Sequence, residues 1–174
     1  MATEAWLGGG LSGFAPIVMP AAHALVECAK DLEKHALTLG NEELRATPGG
    51  APSVAFHLRH IAGSIDRLLT YARNEQLTEE QFAVLKNESA TDFAETAAQL
   101  TVAAIGKINE ALEALKNVPP EILFEARTVG RQKLPTNVFG LLFHIAEHTA
   151  RHTGQIVTTA KIVRRDKAED ADEL

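Results

Sequence analysis

Apolar positions recur along most of this chain at intervals of three and four residues, the spacing of one helix face. Between residues 15 and 39 the series is Ile17, Ala21, Ala24, Leu25, Cys28, Leu32, His35 and Leu39. Pro20 has no N–H to donate and fits only the first turn, so it marks a helix start. The segment RATPGGAPS then breaks the pattern with two prolines and a Gly-Gly pair. A second helix is predicted from about Ser53 to Ala72, with Val54, Leu58, Ile61, Ile65, Leu68 and Ala72 in series. Thr78 and Gln81 have the spacing of a capping box and predict a short helix over 78–86. A further long helix is expected from Asp92 to Lys116, carrying Phe93, Ala97, Leu100, Ala104, Ile108, Leu112 and Leu115 before Pro119 and Pro120 stop it. Residues 121–135, with Gly130 and Pro135, read as irregular. The last helix is predicted from Thr136, as its N-cap, to Arg164 or Arg165.

Four long helices, with no repeat, low-complexity linker or strand signal, point to an all-α four-helix bundle. The 73–91 connection leaves room for a crossover, so the order need not be plain up-down-up-down. A chain of 174 residues suits one domain. We expect it to span 1–174, with an irregular arm over 1–10 and an acidic tail over 166–174. Aromatics are only 5% of residues while Ala and Leu are abundant, which favours helices over a β-sandwich.

Charge and targeting narrow the function classes. The net charge is -6. The one basic cluster, Lys161, Arg164, Arg165 and Lys167, ends the last helix, where it complements the helix dipole. Glu169, Asp170, Asp172 and Glu173 follow at once, so no nucleic-acid partner is expected. No apolar run approaches the roughly 20 residues needed to span a bilayer. Glu4 and the Gly8–Gly10 run do not fit a signal peptide, and a cytoplasmic location is expected. Cys28, the only cysteine, reads as a small buried helix residue and can form no intrachain disulfide.

The candidate chemistry lies in HIAEHTARHTGQI, where His144, His148 and His152 stand four residues apart. With about 100° of turn per residue and His144 at zero, His148 falls near 40° and His152 near 80°, beside the core face at about 100–160°. Arg151 and Gln155 share this stripe. On the second helix, FHLRHIAG supplies His57 and His60, with Ser64, Arg67 and Tyr71 on the same polar edge. If the two edges face each other, imidazoles from both helices converge on one polar pocket. Three imidazoles around a divalent ion leave a position open, as catalytic sites do. Water bound there becomes a stronger acid, and a thiolate bound there is held as a nucleophile. All-imidazole ligation suits Zn, Ni, Cu or Fe. HTARH has the spacing of the zincin helix, but Thr149 stands where its glutamate base belongs, which excludes a zincin peptidase. His23 and His35 lie outside any cluster. His57 and His144 fit either the site or its surroundings.

SVAFHLRHIAGSIDRLLTYA followed by LLFHIAEHTARHTGQIV resembles the DinB/YfiT-like superfamily, to which metal-dependent chemistry is ascribed. The resemblance runs from the first helix to about Arg164. It implies an up-down-down-up bundle and, in many members, a homodimer. It also implies a divalent metal ion, zinc or nickel first and iron after them, held by His60, His148 and His152. Related members include thiol-dependent S-transferases, a maleylpyruvate isomerase and a domain of ergothioneine-forming enzymes. Metal-activated thiol chemistry is thus the expected theme, with a small-molecule substrate such as a low-molecular-weight thiol. Arg67, Tyr71, Arg151 and Gln155 are the candidates for binding substrate or steering a leaving group. Metal-dependent hydrolysis and a non-catalytic metal-binding bundle are the alternatives. For hydrolysis, Glu147 is the best-placed base, at about -60° on the wheel and off-centre.

Overall fold

The computed structural model describes residues 4–172, and side chains up to Arg164. Its long helices are α1 (Met19–His35), α3 (Val54–Ala72), α5 (Ala97–Asn117) and α6 (Val138–Asp172). Two shorter ones, α2 (Asn41–Arg45) and α4 (Glu79–Asn87), lie in the connections. α6 packs along both α1 and α3, and α5 packs against α3 and α1. Leu25 and Leu32 of α1, Leu58, Ile61 and Ile65 of α3, Ile108 and Leu115 of α5, and Ile145 and Ile156 of α6 are fully buried between them. Each such side chain contributes roughly 1.5–3 kcal/mol by leaving water. No helix among the described residues is long and apolar enough to cross a membrane.

Local sequence sets the helix starts. Pro20 sits in the first turn of α1, as expected. Ser53 Oγ accepts the Phe56 N–H at 3.2 Å and caps α3. Thr78 and Gln81 form the expected capping box on α4.

Four expectations change. α5 begins at Ala97 rather than near Asp92, because Thr96 and Gln99 form a second capping box that fixes the start. α6 is capped by Asn137, the last residue of the preceding strand, whose Oδ1 accepts the Gly140 N–H at 2.7 Å; Thr136, the expected cap, lies one residue too early. The stretch expected to be irregular holds a hairpin, β1 (Ala126–Val129) paired antiparallel with β2 (Leu134–Asn137). Its turn uses left-handed backbone at Gly130 and Lys133. Pro135 is tolerated because a two-stranded ribbon leaves one edge of each strand unpaired. Finally, α6 continues to Asp172, past the expected end at Arg164 or Arg165. The side chains of Arg165, Lys167 and the acidic tail 166–174 lie outside the described residues, as do positions 1–3 of the arm.

The rest of the arm forms a 3-10 turn at Ala5–Leu7 that packs on α1. His23 Nε2 meets the Gly9 carbonyl at 3.0 Å. Cys28 is buried, and burial pushes its thiol up to about 11, so it is inert at neutral pH.

Candidate metal centre

The α3–α6 contact brings the two imidazole-bearing edges together. Capping at Ser53 sets the phase of α3, so that Leu58, Ile61 and Ile65 enter the core and His60 reaches the edge toward α6. Ile145 and Ile156 fix α6 in the same way and leave His148 and His152 half-buried beside them. One ring nitrogen from each of His60, His148 and His152 lies within 4.8 Å of the other two. His60 Nε2 and His148 Nε2 face each other at 2.9 Å. The ring of His152 is 4.6 Å from that of His60 and 4.5 Å from that of His148, centroid to centroid.

The other nitrogens have partners that bear on ligation. Glu88 Oε2 lies 2.7 Å from His60 Nδ1. A carboxylate there accepts a proton-bearing Nδ1 and turns the bare Nε2 inward. His57 Nδ1 stands 2.9 Å from His152 Nδ1, so one of the two donates to the other. His57 is only 2% exposed, and burial, with His152 and His60 beside it, pulls it down to about 4. It is therefore neutral near pH 7, able to accept from His152 and leave His152 Nε2 free. His148 is also pulled down to about 4, chiefly by burial and then by its imidazole neighbours. His152 is lowered too, again by burial first and then by His60 and Arg151.

These residues fit a metal ion. Tetrahedral bonds of about 2.05 Å place ligand nitrogens roughly 3.3 Å apart, close to the 2.9 Å between His60 and His148. Neutral rings bind without first releasing a proton. One contact runs the other way. Arg151 Nη2 donates to His148 Nδ1 at 3.1 Å, which puts that ring's proton on Nε2. Ligation through Nε2 needs the opposite tautomer. The Arg151 side chain is 64% exposed and has solvent to swing into.

The remaining candidates separate. Arg151 and Gln155 border a cleft of about 400 Å³ that also touches His57, Pro48 and Pro52. Arg67 turns away from it and pairs with Glu88 Oε1 at 2.7 Å. Tyr71 is eleven residues beyond His60, about 16 Å along the helix axis and so three turns away from the cluster. His144 is held by Glu147 at 2.6 Å and stands outside the trio. Glu147 also pairs with Arg151 Nε at 3.0 Å, so both charges around it are engaged. Thr149 is fully buried, leaving that place on α6 without a carboxylate.

Glu88 is the residue that sequence reasoning missed. It follows α4 and is 4% exposed, among the most buried charged side chains of the described residues. Its carboxylate rests on α3 at Gly63. A Cβ there would overlap Glu88 Oε1 and stand 2.7 Å from Arg67 Nη1.

A comparison with curated proteins gives no match. The model of the DinB superfamily matches residues 24–156, from α1 through the two histidine-bearing helices, and the chain belongs to that superfamily.

Proposed function

We propose that this protein is a metal-dependent enzyme, a thiol-dependent S-transferase, with His60, His148 and His152 as the ligands of a divalent ion. The observation that carries it is the convergence of three ring nitrogens from two helices, with the outer nitrogen of His60 backed by a buried carboxylate. An all-imidazole set suits zinc, nickel, copper or iron, and the family resemblance puts zinc or nickel first. When bound, the ion supplies Lewis acidity that favours the thiolate form of a small thiol at neutral pH.

The chain's own groups do the rest. The cleft is lined by His57, whose ring meets that of His152, and is where a small molecule would approach the cluster. Arg151 at its rim attracts an anionic group, and Gln155 offers an amide donor and acceptor. Phe56 stacks on His60 at 5.5 Å and closes one side of the ring with an apolar surface. In the transfer, the thiol loses its proton to solvent and sulfur forms a bond to an electrophilic carbon. The leaving group departs with the electrons of its own bond. Hydrolysis is less well supported, because Glu88 and Glu147 are both tied up in ion pairs and neither is free as a base.

Chain length extends the reading to a single domain over 1–174 and the N-terminal sequence to a cytoplasmic location, while the family resemblance adds an up-down-down-up bundle and a homodimer. The test uses protein purified without a histidine tag. Turnover of a small thiol with an electrophile should vanish on chelation and return with metal. His148→Ala should abolish it. Full metal-dependent turnover by that variant would reject the assignment. Full occupancy with no turnover on any thiol supports a non-catalytic metal-binding bundle instead, and ester hydrolysis without thiol supports a hydrolase.

A further inference from the structure

We infer that Glu88 is the positioning residue of the centre: held by Arg67 and seated on Gly63, it fixes the orientation and tautomer of His60. The inference rests on the metal-centre reading above and names the machinery behind one of its ligands.

The geometry is specific. Glu88 sends one oxygen to each of two partners, Oε2 to His60 Nδ1 and Oε1 to Arg67 Nη1, both at 2.7 Å. An uncompensated buried carboxylate is costly, and Arg67, 8% exposed, supplies the balancing charge. The pair lies directly on the α3 backbone at Gly63, where any side chain would collide with it. His60 and Gly63 are three residues apart, so His-Ile-Ala-Gly places the ring and the seat for its carboxylate on one helix face. A neutral imidazole has two tautomers, and only one presents Nε2 as a lone pair. A carboxylate on Nδ1 selects that one.

A plainer role for the same residues is an ion pair that staples the α4 end to α3. The two roles differ in what they move. A staple changes stability alone, while a positioning carboxylate also changes the His60 tautomer and metal affinity. Removing Glu88 alone strands the Arg67 charge, so the useful variant is the pair Glu88→Gln with Arg67→Met. Gly63→Ala is the second variant, since it displaces the carboxylate without altering His60, Glu88 or Arg67.

Nitrogen-15 spectra of metal-free protein, read through long-range couplings to the ring protons, report the tautomer. With Arg151→Met in every background, so that Arg151 does not hold His148 as an Nε2–H donor to His60, the unaltered Glu88 should keep the Nδ1–H form of His60 and the variants should show a mixture. In zinc competition against a chromogenic chelator, the paired variant should bind about 10–100-fold more weakly. Gly63→Ala should shift in the same direction. Variants that fold by circular dichroism, keep the Nδ1–H form and bind zinc as tightly as the wild type would overturn the inference. If the wild type binds no zinc, the functional reading falls, and the metal-free spectra still decide whether Glu88 sets the ring.

Discussion

Acid should weaken the metal-free protein well above the carboxylate range, and His57 supplies the cleanest share of the effect. Unfolded, its imidazole titrates near 6.5; folded, burial holds it at about 4. Between those values the unfolded chain binds a proton that the folded chain does not. Stability therefore rises with pH across that window. The contribution is complete above about pH 6.5, shrinks as pH falls, and is gone by about pH 4. Over the whole window it amounts to about 3 kcal/mol, and between pH 6.5 and 5 to about 2 kcal/mol. His148, His152 and His35 are also lowered, so they act with the same sign. Urea melts at pH 7 and pH 5 measure the difference and stay clear of most carboxylate titration. With a urea slope of about 1–3 kcal/mol per molar, the midpoint should drop by roughly 1 M or more at pH 5. His57→Gln should flatten the dependence by about one proton, near 1.4 kcal/mol per pH unit. Equal midpoints at the two pH values, or a higher one at pH 5, would refute neutral burial of these rings.

Three further outcomes follow from the same geometry. Zinc at about 100 times its Kd should add about 2.7 kcal/mol, a rise of roughly 5–10 °C in Tm by calorimetry, and His152→Ala should lose it. Gly154→Leu meets open space at its first carbon and replaces a poor helix former, so the fold should hold or gain up to about 1 kcal/mol. The new side chain projects toward the cleft beside Arg151 and Gln155, so KM should rise while zinc affinity stays at the wild-type level. Thr149→Val removes a buried hydroxyl that has no partner among the described residues and should raise Tm by about 2–4 °C.

Much of this was readable in one dimension because it depended on neighbours in sequence. Ser53 and the Thr78–Gln81 box act within one turn, and the apolar series fixes which edge of α3 and α6 carries imidazole. The Thr96–Gln99 box was equally legible and was masked by the apolar Phe93 ahead of it. Phe93 instead lies outside α5, with the guanidinium groups of Arg45 and Arg59 over its ring. The hairpin strands have four residues each, too few for an alternating pattern to stand out. Glu88 could not be read at all from its own neighbourhood. Its partners His60 and Arg67 are 28 and 21 residues earlier, and only tertiary packing brings them together.

α4 buries none of its nine residues. Gln81, through Asp66 at 2.6 Å and Thr70 at 2.9 Å, ties one end to α3, and Glu88 ties the other. A segment with so little apolar anchoring opens far more often than the packed core, and its amides should exchange with solvent sooner than those of α3 or α6. Each opening would carry Glu88 away while His60 stays in place. The carboxylate behind the proposed ligand His60 thus hangs on a helix with no buried residue of its own.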